Sequence, residues 1–165
     1  MTIPPPYAFD AERDLVLDRV VDVPPNLVWK AWTTPTLLMP WFCPKPWSTV
    51  ACEIDLRPGG AFRTTMRSPE GQEFPNVGCY LELIPDRRLV WTDVLGPGFR
   101  PIHDASDRPF VLTAALFLEP EGTGTRYTAF AMHADTKARD QHSEMGFEHG
   151  WSAVLDQLVA FIKTW

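Results

Sequence analysis

The 165-residue sequence has no long hydrophobic run, no leader-like N-terminus and an excess of acidic over basic residues. No apolar stretch approaches the roughly 18 residues of a spanning helix, so we expect no membrane insertion. With 15 Lys and Arg against 21 Asp and Glu, the net charge is −6. This charge argues against nucleic acid or an anionic membrane surface as a partner. The opening MTIPPPYAFD has neither the basic nor the apolar region of a signal peptide, so we expect a cytoplasmic protein.

Sequence motifs for metal binding and covalent catalysis are also missing. Cys43, Cys52 and Cys79 are odd in number and form no C-x-x-C spacing, so neither a disulfide framework nor a zinc site is expected. His142 and His149 are seven residues apart, a helical rise of about 10.5 Å, which is too far for two ligands of one ion. No G-x-S-x-G and no phosphate-binding loop appears. We therefore assign no metal, no cofactor and no catalytic residue.

Apolar periodicity is strongest at the C-terminal end of the chain. Large apolar residues recur every three or four positions and predict one long amphipathic helix over residues 140–165, about 39 Å in length; they are Phe147, Trp151, Val154, Leu158, Phe161 and Trp165. Gly146 and Gly150 leave one flank of this helix bare. The bare flank indicates close packing on a strand, the border of an internal cavity, or both.

The rest of the chain predicts mainly short strands. Residues 1–13 are an irregular lead-in, and residues 14–165 are expected to form a single domain. Alternating patterns predict strands at 14–23, 48–57, 60–67, 74–84, 87–95, 109–119 and 124–133. Two short helices follow the first strand, one around residues 27–32 and one at 35–41. Short turns between consecutive strands imply antiparallel hairpins, whereas residues 96–108 are long enough for a lid or a partner surface.

This order of elements predicts an α+β fold. The antiparallel sheet of about seven strands is expected to curve around the long C-terminal helix, in a helix-grip arrangement with two short helices after strand one. In the strand TRYTAFAMH, we expect Tyr127, Ala129, Ala131 and His133 to face the helix, because the two alanines would let it approach. A sheet that grips a helix in this way leaves a pocket between them.

Several segments resemble a known family. The hairpin EIDLRPGGAFRTTMRSPEG is similar to the D-x-R-x-G-G hairpin of Activator-of-heat-shock-protein-ATPase homologue-like domains, which belong to the SRPBCC (START, birch-pollen-allergen-like) superfamily. VPPNLVWKAWTTPTLLMPWF, GCYLELIPDRRLVWT, GTGTRYT and EHGWSAVLDQL agree with the same family in the same order, over about residues 14–163. The resemblance implies a helix-grip fold with a pocket for a hydrophobic ligand, and it names no ligand. Asp55 and Arg57 of the hairpin are expected to pair with each other or to contact a neighbouring strand.

We therefore predict binding of a small hydrophobic or aromatic ligand in an internal cavity between the sheet and the C-terminal helix. The residues chosen as ligand contacts are Trp41, Phe62, Met66, Trp91, His133, Met145 and His149. An alternative is an enzyme of cyclase, aromatase or dehydratase type that uses His133 or His149 as acid or base, but a binding protein is favoured because no catalytic motif is recognised.

A second alternative, implied by the family name, is a regulator of a chaperone ATPase. The eukaryotic co-chaperone carries a separate chaperone-binding domain ahead of the domain resembled here, and only about 13 residues precede the first predicted strand. A chaperone partner is therefore disfavoured, and a homodimer is left open.

Overall fold

The computed structural model describes all 165 residues. In chain order its elements are β1 (Asp14–Val21), α1 (Pro25–Thr33), α2 (Pro35–Leu38), β2 (Ser48–Ile54), β3 (Ala61–Arg67), β4 (Glu73–Ile84), β5 (Arg88–Thr92), β6 (Leu95–Gly96), a 3-10 turn (Pro97–Phe99), β7 (Arg100–Pro101), β8 (Thr113–Glu121), β9 (Gly124–Met132), α3 (Thr136–Glu144) and α4 (Phe147–Ile162). The predicted α+β class is confirmed.

Seven of the strands form one antiparallel sheet in the order β1-β9-β8-β5-β4-β3-β2. Its two edges, β1 and β2, do not pair with each other, so the sheet stays open. Register shifts between Thr49 and Ala51 in β2 and between Tyr80 and Glu82 in β4 mark bulges or irregularities, which bend strands and increase their twist. The helices cover one face of this sheet, called the inner face below, with α4 packed against α1 and β1.

The alternation of β9 distributes its side chains between two separate cores. Tyr127, Ala129 and Ala131 join the main hydrophobic core on the inner face, together with Leu155 and Leu158 of α4. This confirms the face predicted for the helix. The residues between them point outward, and Phe130 belongs to a smaller core on the opposite face.

The outer face of the sheet is covered by the N-terminal lead-in. Residues 1–13 contain no helix or strand. Ile3 and Tyr7 nevertheless pack on the outer core, where the Tyr7 ring lies 5.4 Å from that of Phe117. Phe9 lies 5.9 Å from Phe130, also between ring centroids. The lead-in therefore buries apolar surface that the sheet would otherwise expose to water.

The single C-terminal helix predicted for residues 140–165 is wrong. Asp135 caps α3 by accepting a hydrogen bond from the backbone N–H of Ala138, and Gly146 with φ +95° separates α3 from α4. This left-handed conformation suits glycine and ends helices. The gripped helix is thus α4 alone, 16 residues and about 24 Å long. Gly150 faces Pro44, with 3.9 Å between a built Cβ and the Pro44 Cγ, rather than a strand.

Smaller differences concern element ends and the long loop. The strand predicted to begin at residue 109 begins at Thr113, and the second short helix ends at Leu38 rather than at residue 41. The loop at 96–108 carries the small β6–β7 hairpin, and Gly98 donates a backbone hydrogen bond to Gly59. The loop is therefore attached to the Gly59-Gly60 turn. No helix has both the length and the apolar character needed to cross a membrane.

Candidate functional site

Six aromatic rings meet on the inner face and line the candidate site, called the aromatic cleft below. They are Trp32 of α1, Trp41 and Phe42 after α2, Phe62 of β3, Tyr80 of β4 and Trp91 of β5. Trp32 lies 5.0 Å from Trp41 and 5.3 Å from Trp91, measured between ring centroids. Phe62 stacks on Tyr80 at 5.3 Å with an interplanar angle of 7°. The contacts link α1 to three neighbouring strands.

Strand register explains why these rings converge. The β3–β4 hairpin places Phe62 opposite Gly78, and the β4–β5 hairpin places Tyr80 opposite Trp91. On the next strands, Trp91 is followed across the sheet by Ala114 and Ala131. Both alanines are fully buried, and their small side chains leave Trp91 as the large residue of this cross-strand row.

The chain between α2 and β2 is held in place by hydrogen bonds to α2 and to α4. The Trp41 indole N–H donates to the carbonyl of Leu37 at 2.8 Å. Gln157 of α4 donates to the carbonyls of Trp41 at 3.1 Å and Cys43 at 2.8 Å, and its side-chain oxygen accepts from the Lys45 N–H at 3.1 Å. One α4 side chain therefore positions the segment that supplies two rings of the cleft.

Two hydrogen-bonding groups of the cleft have no partner. The Trp32 indole N–H and the Tyr80 hydroxyl are buried without any hydrogen bond. The Tyr127 hydroxyl lies close to the Trp32 indole, but the two do not reach hydrogen-bonding geometry. Burial raises the pKa of Tyr80 above its ordinary value and the pKa of the nearby Cys52 thiol to about 11. Both groups are therefore neutral at physiological pH.

A histidine pair lies at the end of the inner face, two residues beyond Ala131. His133 Nε2 and His142 Nδ1 are 2.9 Å apart, and His133 Nδ1 is 2.9 Å from the carbonyl oxygen of Arg13. Both histidines are buried, at 7% and 8% exposure. Phe110 stacks on His142 with 4.3 Å between ring centroids. Burial, with a smaller contribution from His133, lowers the pKa of His142 to about 4.

The sequence-predicted ligand contacts divide into three groups. Trp41, Phe62 and Trp91 meet in the aromatic cleft. His133 is buried just after β9, and Met66 is partly buried further along β3. Met145 is 66% exposed where α3 ends, and His149 is exposed on the first turn of α4. The structure does not bring these last two residues to the cleft, because the break at Gly146 turns them toward solvent.

Sequence reasoning did not select Trp32, Tyr80 or His142 as ligand contacts. Tyr80 had a usable signal, because pairing across the turn at residues 85–86 brings it opposite Trp91. Trp32 shares helical spacing with Val28, which pointed only to burial. His142 had no local signal, since its partner His133 is on another element.

Two surface grooves flank α4 and differ from the cleft in chemistry. One is lined by charged pairs, Arg19 with Asp156 at 2.7 Å and Lys163 with Asp22 at 2.6 Å. The other lies between α4 and the segment around Pro40 and Lys45. Both are open to solvent, and Phe161 in the second groove is the one aromatic side chain that lines either of them. The Asp55–Arg57 pair expected in the β2–β3 hairpin is present at 2.8 Å, in the turn after Ile54.

Comparison with known proteins identifies the family. The family profile described as Activator of Hsp90 ATPase homolog 1-like protein matches residues 22–163. The chain belongs to this family. No protein of curated function matches it significantly.

Solved structures agree with this assignment. A protein from Nitrosomonas europaea is 49% identical, covers 94% of this chain and 97% of its own, and superposes with a TM-score of 0.90. One from Chromobacterium violaceum is 27% identical over 91% of this chain and 96% of its own, with a TM-score of 0.72. An AHSA1-like protein from Aeromonas hydrophila is 18% identical over 92% of both chains, with a TM-score of 0.66, and shares the fold.

Proposed function

We propose that this protein binds a small apolar or aromatic molecule in the aromatic cleft, between the sheet, α1 and α4. The observation that carries the proposal is that inward-facing apolar side chains of the core remain partly exposed. Phe42, Trp91 and Trp151 pack against the main core, yet none of them is fully buried. Apolar surface left accessible beside a packed core is a place where a small apolar molecule can bind.

The composition of the cleft supports an apolar occupant. Its wall is aromatic, and no Lys or Arg is among the buried residues. The buried Tyr80 hydroxyl and Trp32 N–H add hydrogen-bonding capacity that the protein itself leaves unused. An aromatic wall with a few polar groups is the usual composition of a small-molecule pocket.

Thermal unfolding across a panel of small aromatic, lipid and polyketide molecules tests the proposal. A ligand at 100 times its Kd adds about 2.7 kcal/mol of stability. For a chain of this size we expect Tm to rise by about 5–10 °C. The matched variants are Trp91→Leu, which changes the cleft, and Trp165→Leu, which changes a tryptophan that is 45% exposed at the C-terminus.

The two variants separate cleft binding from nonspecific binding. We expect Trp91→Leu to weaken a ligand found in the panel at least tenfold and Trp165→Leu to leave its Kd unchanged. Equal effects of the two substitutions, or a panel without any ligand, would contradict the proposal.

The alternatives stated from sequence stay predictions. A cyclase, aromatase or dehydratase role predicts turnover that is lost in His133→Ala or His149→Ala while the fold survives. A chaperone-regulator role predicts that the protein stimulates the ATPase of a purified chaperone.

A further inference from the structure

The hydrogen-bond chain from Arg13 through His133 to His142 fixes where the protons of the two imidazoles reside. The Arg13 carbonyl oxygen can only accept, so the His133 Nδ1 that lies 2.9 Å from it must carry a hydrogen. In a neutral imidazole the other nitrogen is then an acceptor. When His133 is neutral, its Nε2 therefore presents a lone pair toward His142.

This arrangement determines the tautomer of His142. Its Nδ1, 2.9 Å from His133 Nε2, must be the donor in a neutral pair. The remaining nitrogen, Nε2 of His142, is consequently unprotonated and is an acceptor. A histidine held in one tautomer by a second group is the usual arrangement for an imidazole that binds or takes a proton at its other nitrogen.

The surroundings keep this acceptor available. His142 is enclosed by the rings of Phe110, Phe147 and Trp151, at centroid distances of 4.3, 5.1 and 5.9 Å. Its Nε2 makes no hydrogen bond within the protein, and only Trp32 Nε1 and Tyr80 Oη are fully buried without a partner. His142 Nε2 therefore keeps contact with solvent from within an aromatic enclosure.

Charged groups near the pair are few and engaged elsewhere. The Asp14 carboxylate accepts from the Asp10 N–H at 2.8 Å, and the Arg13 side chain pairs with Asp10 at 2.7 Å. Burial raises the pKa of Asp14, while the hydrogen bond from the Asp10 backbone N–H opposes that shift. Because burial holds the pKa of His142 near 4, this imidazole is neutral at physiological pH.

The pair contacts the inner-face core through Phe147 and Trp151. Across the sheet, Trp91 is opposite Ala114, and Ala114 is opposite Ala131. His133 follows Ala131 by two residues in the chain. Trp151 contacts both His142 and the main core. A molecule lying on the partly exposed Trp151 could therefore extend a polar group to His142.

We propose that His142 Nε2 accepts a hydrogen bond from the ligand, so that the cleft takes neutral aromatic molecules bearing a hydroxyl donor, such as phenols or enols. This inference rests on the proposed function and adds the chemical class of the ligand. His133 is a positioning residue, because it sets the tautomer of His142 through their shared hydrogen bond.

The first test needs no substitution in the measured protein. In a ¹⁵N-labelled sample at pH 7.5, we expect His142 to show a protonated Nδ1 and an unprotonated Nε2. The His142→Phe spectrum assigns the signal among the four histidines. A His142 that carries its hydrogen on Nε2, or that is cationic at this pH, would overturn the inference.

The second test compares two probes of nearly equal shape, 2-naphthol and 2-methoxynaphthalene. In the unmodified protein we expect 2-naphthol to bind about tenfold more tightly, as one well-formed hydrogen bond would give. His142→Phe keeps a ring in the enclosure and should abolish the difference, whereas His103→Phe, in the exposed loop, should preserve it.

The outcomes separate the inference from the proposal on which it rests. Equal affinity for the two probes in the unmodified protein would overturn the hydroxyl preference and leave cleft binding intact. If neither probe and no molecule of the wider panel binds, both the inference and the proposed function are overturned. A preference that survives His142→Phe would assign the acceptor to another residue and overturn the inference.

Discussion

Among single residues, Tyr80 has a hydroxyl that the folded protein does not use. The residue is fully buried and its hydroxyl has no hydrogen-bond partner. A buried polar group without a partner costs about 1–3 kcal/mol. We expect Tyr80→Phe to raise the free energy of unfolding by about 1 kcal/mol, as measured by urea denaturation.

The matched control is Tyr7→Phe, because the Tyr7 hydroxyl donates to the Glu82 carboxylate at 2.5 Å. Its removal should lower the free energy of unfolding. If Tyr80→Phe destabilised the protein as much as Tyr7→Phe does, the Tyr80 hydroxyl would have a partner, and its availability to a ligand would have to be abandoned.

Residue by residue, the sequence predicted the aromatic wall better than the polar groups. Phe62 and Trp91 could be chosen because strand alternation and short hairpin turns determine which side chains share a face. Trp41 could be chosen because it shares helical spacing with Leu37 and Leu38. The His133–His142 pair could not be predicted in this way. It depends on how α3 packs beside the end of β9, and no local spacing encodes that contact.

At the level of elements, the C-terminal region shows why the helix break was missed. The apolar spacing of Trp151, Leu158 and Phe161 is helical whether or not a second helix precedes it. A glycine is compatible with both a helix interior and a left-handed helix end, and only the backbone at Gly146, with φ +95°, distinguishes them. The lead-in likewise gave no periodic signal for its packing on the outer face.

The attachment of the 41–45 segment to α4 gives a prediction at the same scale. Gln157→Ala would leave the carbonyls of Trp41 and Cys43 and the N–H of Lys45 without their α4 partner. We expect a loss of about 1–3 kcal/mol in the free energy of unfolding, since backbone groups lose their hydrogen bonds. Hydrogen exchange at the Lys45 amide should become faster.

Gln72→Ala is the comparison for Gln157→Ala, because Gln72 lies in an exposed turn and its side chain makes no hydrogen bond. Gln72→Ala should change neither the free energy of unfolding nor hydrogen exchange at the Lys45 amide appreciably. Unchanged exchange at Lys45 in Gln157→Ala would show that another contact positions the segment, and the role assigned to α4 in shaping the cleft would be wrong.

For the whole molecule, the sheet has two apolar faces and each has its own cover. Helices cover the inner face, and the lead-in covers part of the outer core of Val90, Ala115, Phe117 and Phe130. The two faces are covered by separate segments of the chain. The lead-in precedes β1, and the helices follow it. Stability and the cleft should therefore respond separately to removal of residues 1–9, which include the lead-in's outer-core contacts.

Deletion of residues 1–9 tests this separation. The deletion removes Ile3, Tyr7 and Phe9 from the outer core. We expect a loss of about 2–4 kcal/mol in the free energy of unfolding. Burial of each large apolar side chain contributes about 1.5–3 kcal/mol. The loss is smaller than the sum for the deleted side chains, because the deletion also removes the conformational entropy cost of ordering these residues. Binding of an apolar dye to the native protein should increase as Phe117 and Phe130 become exposed.

The control is deletion of residues 1–2, which are exposed and should be dispensable. In the longer deletion, the Kd of a cleft ligand should stay within about twofold, because residues 3–9 pack on the opposite face of the sheet. A loss of ligand binding in a variant that still unfolds cooperatively would mean that the two faces are coupled through the strands. The outer cover would then be part of the binding site's support rather than a separate stabilising element.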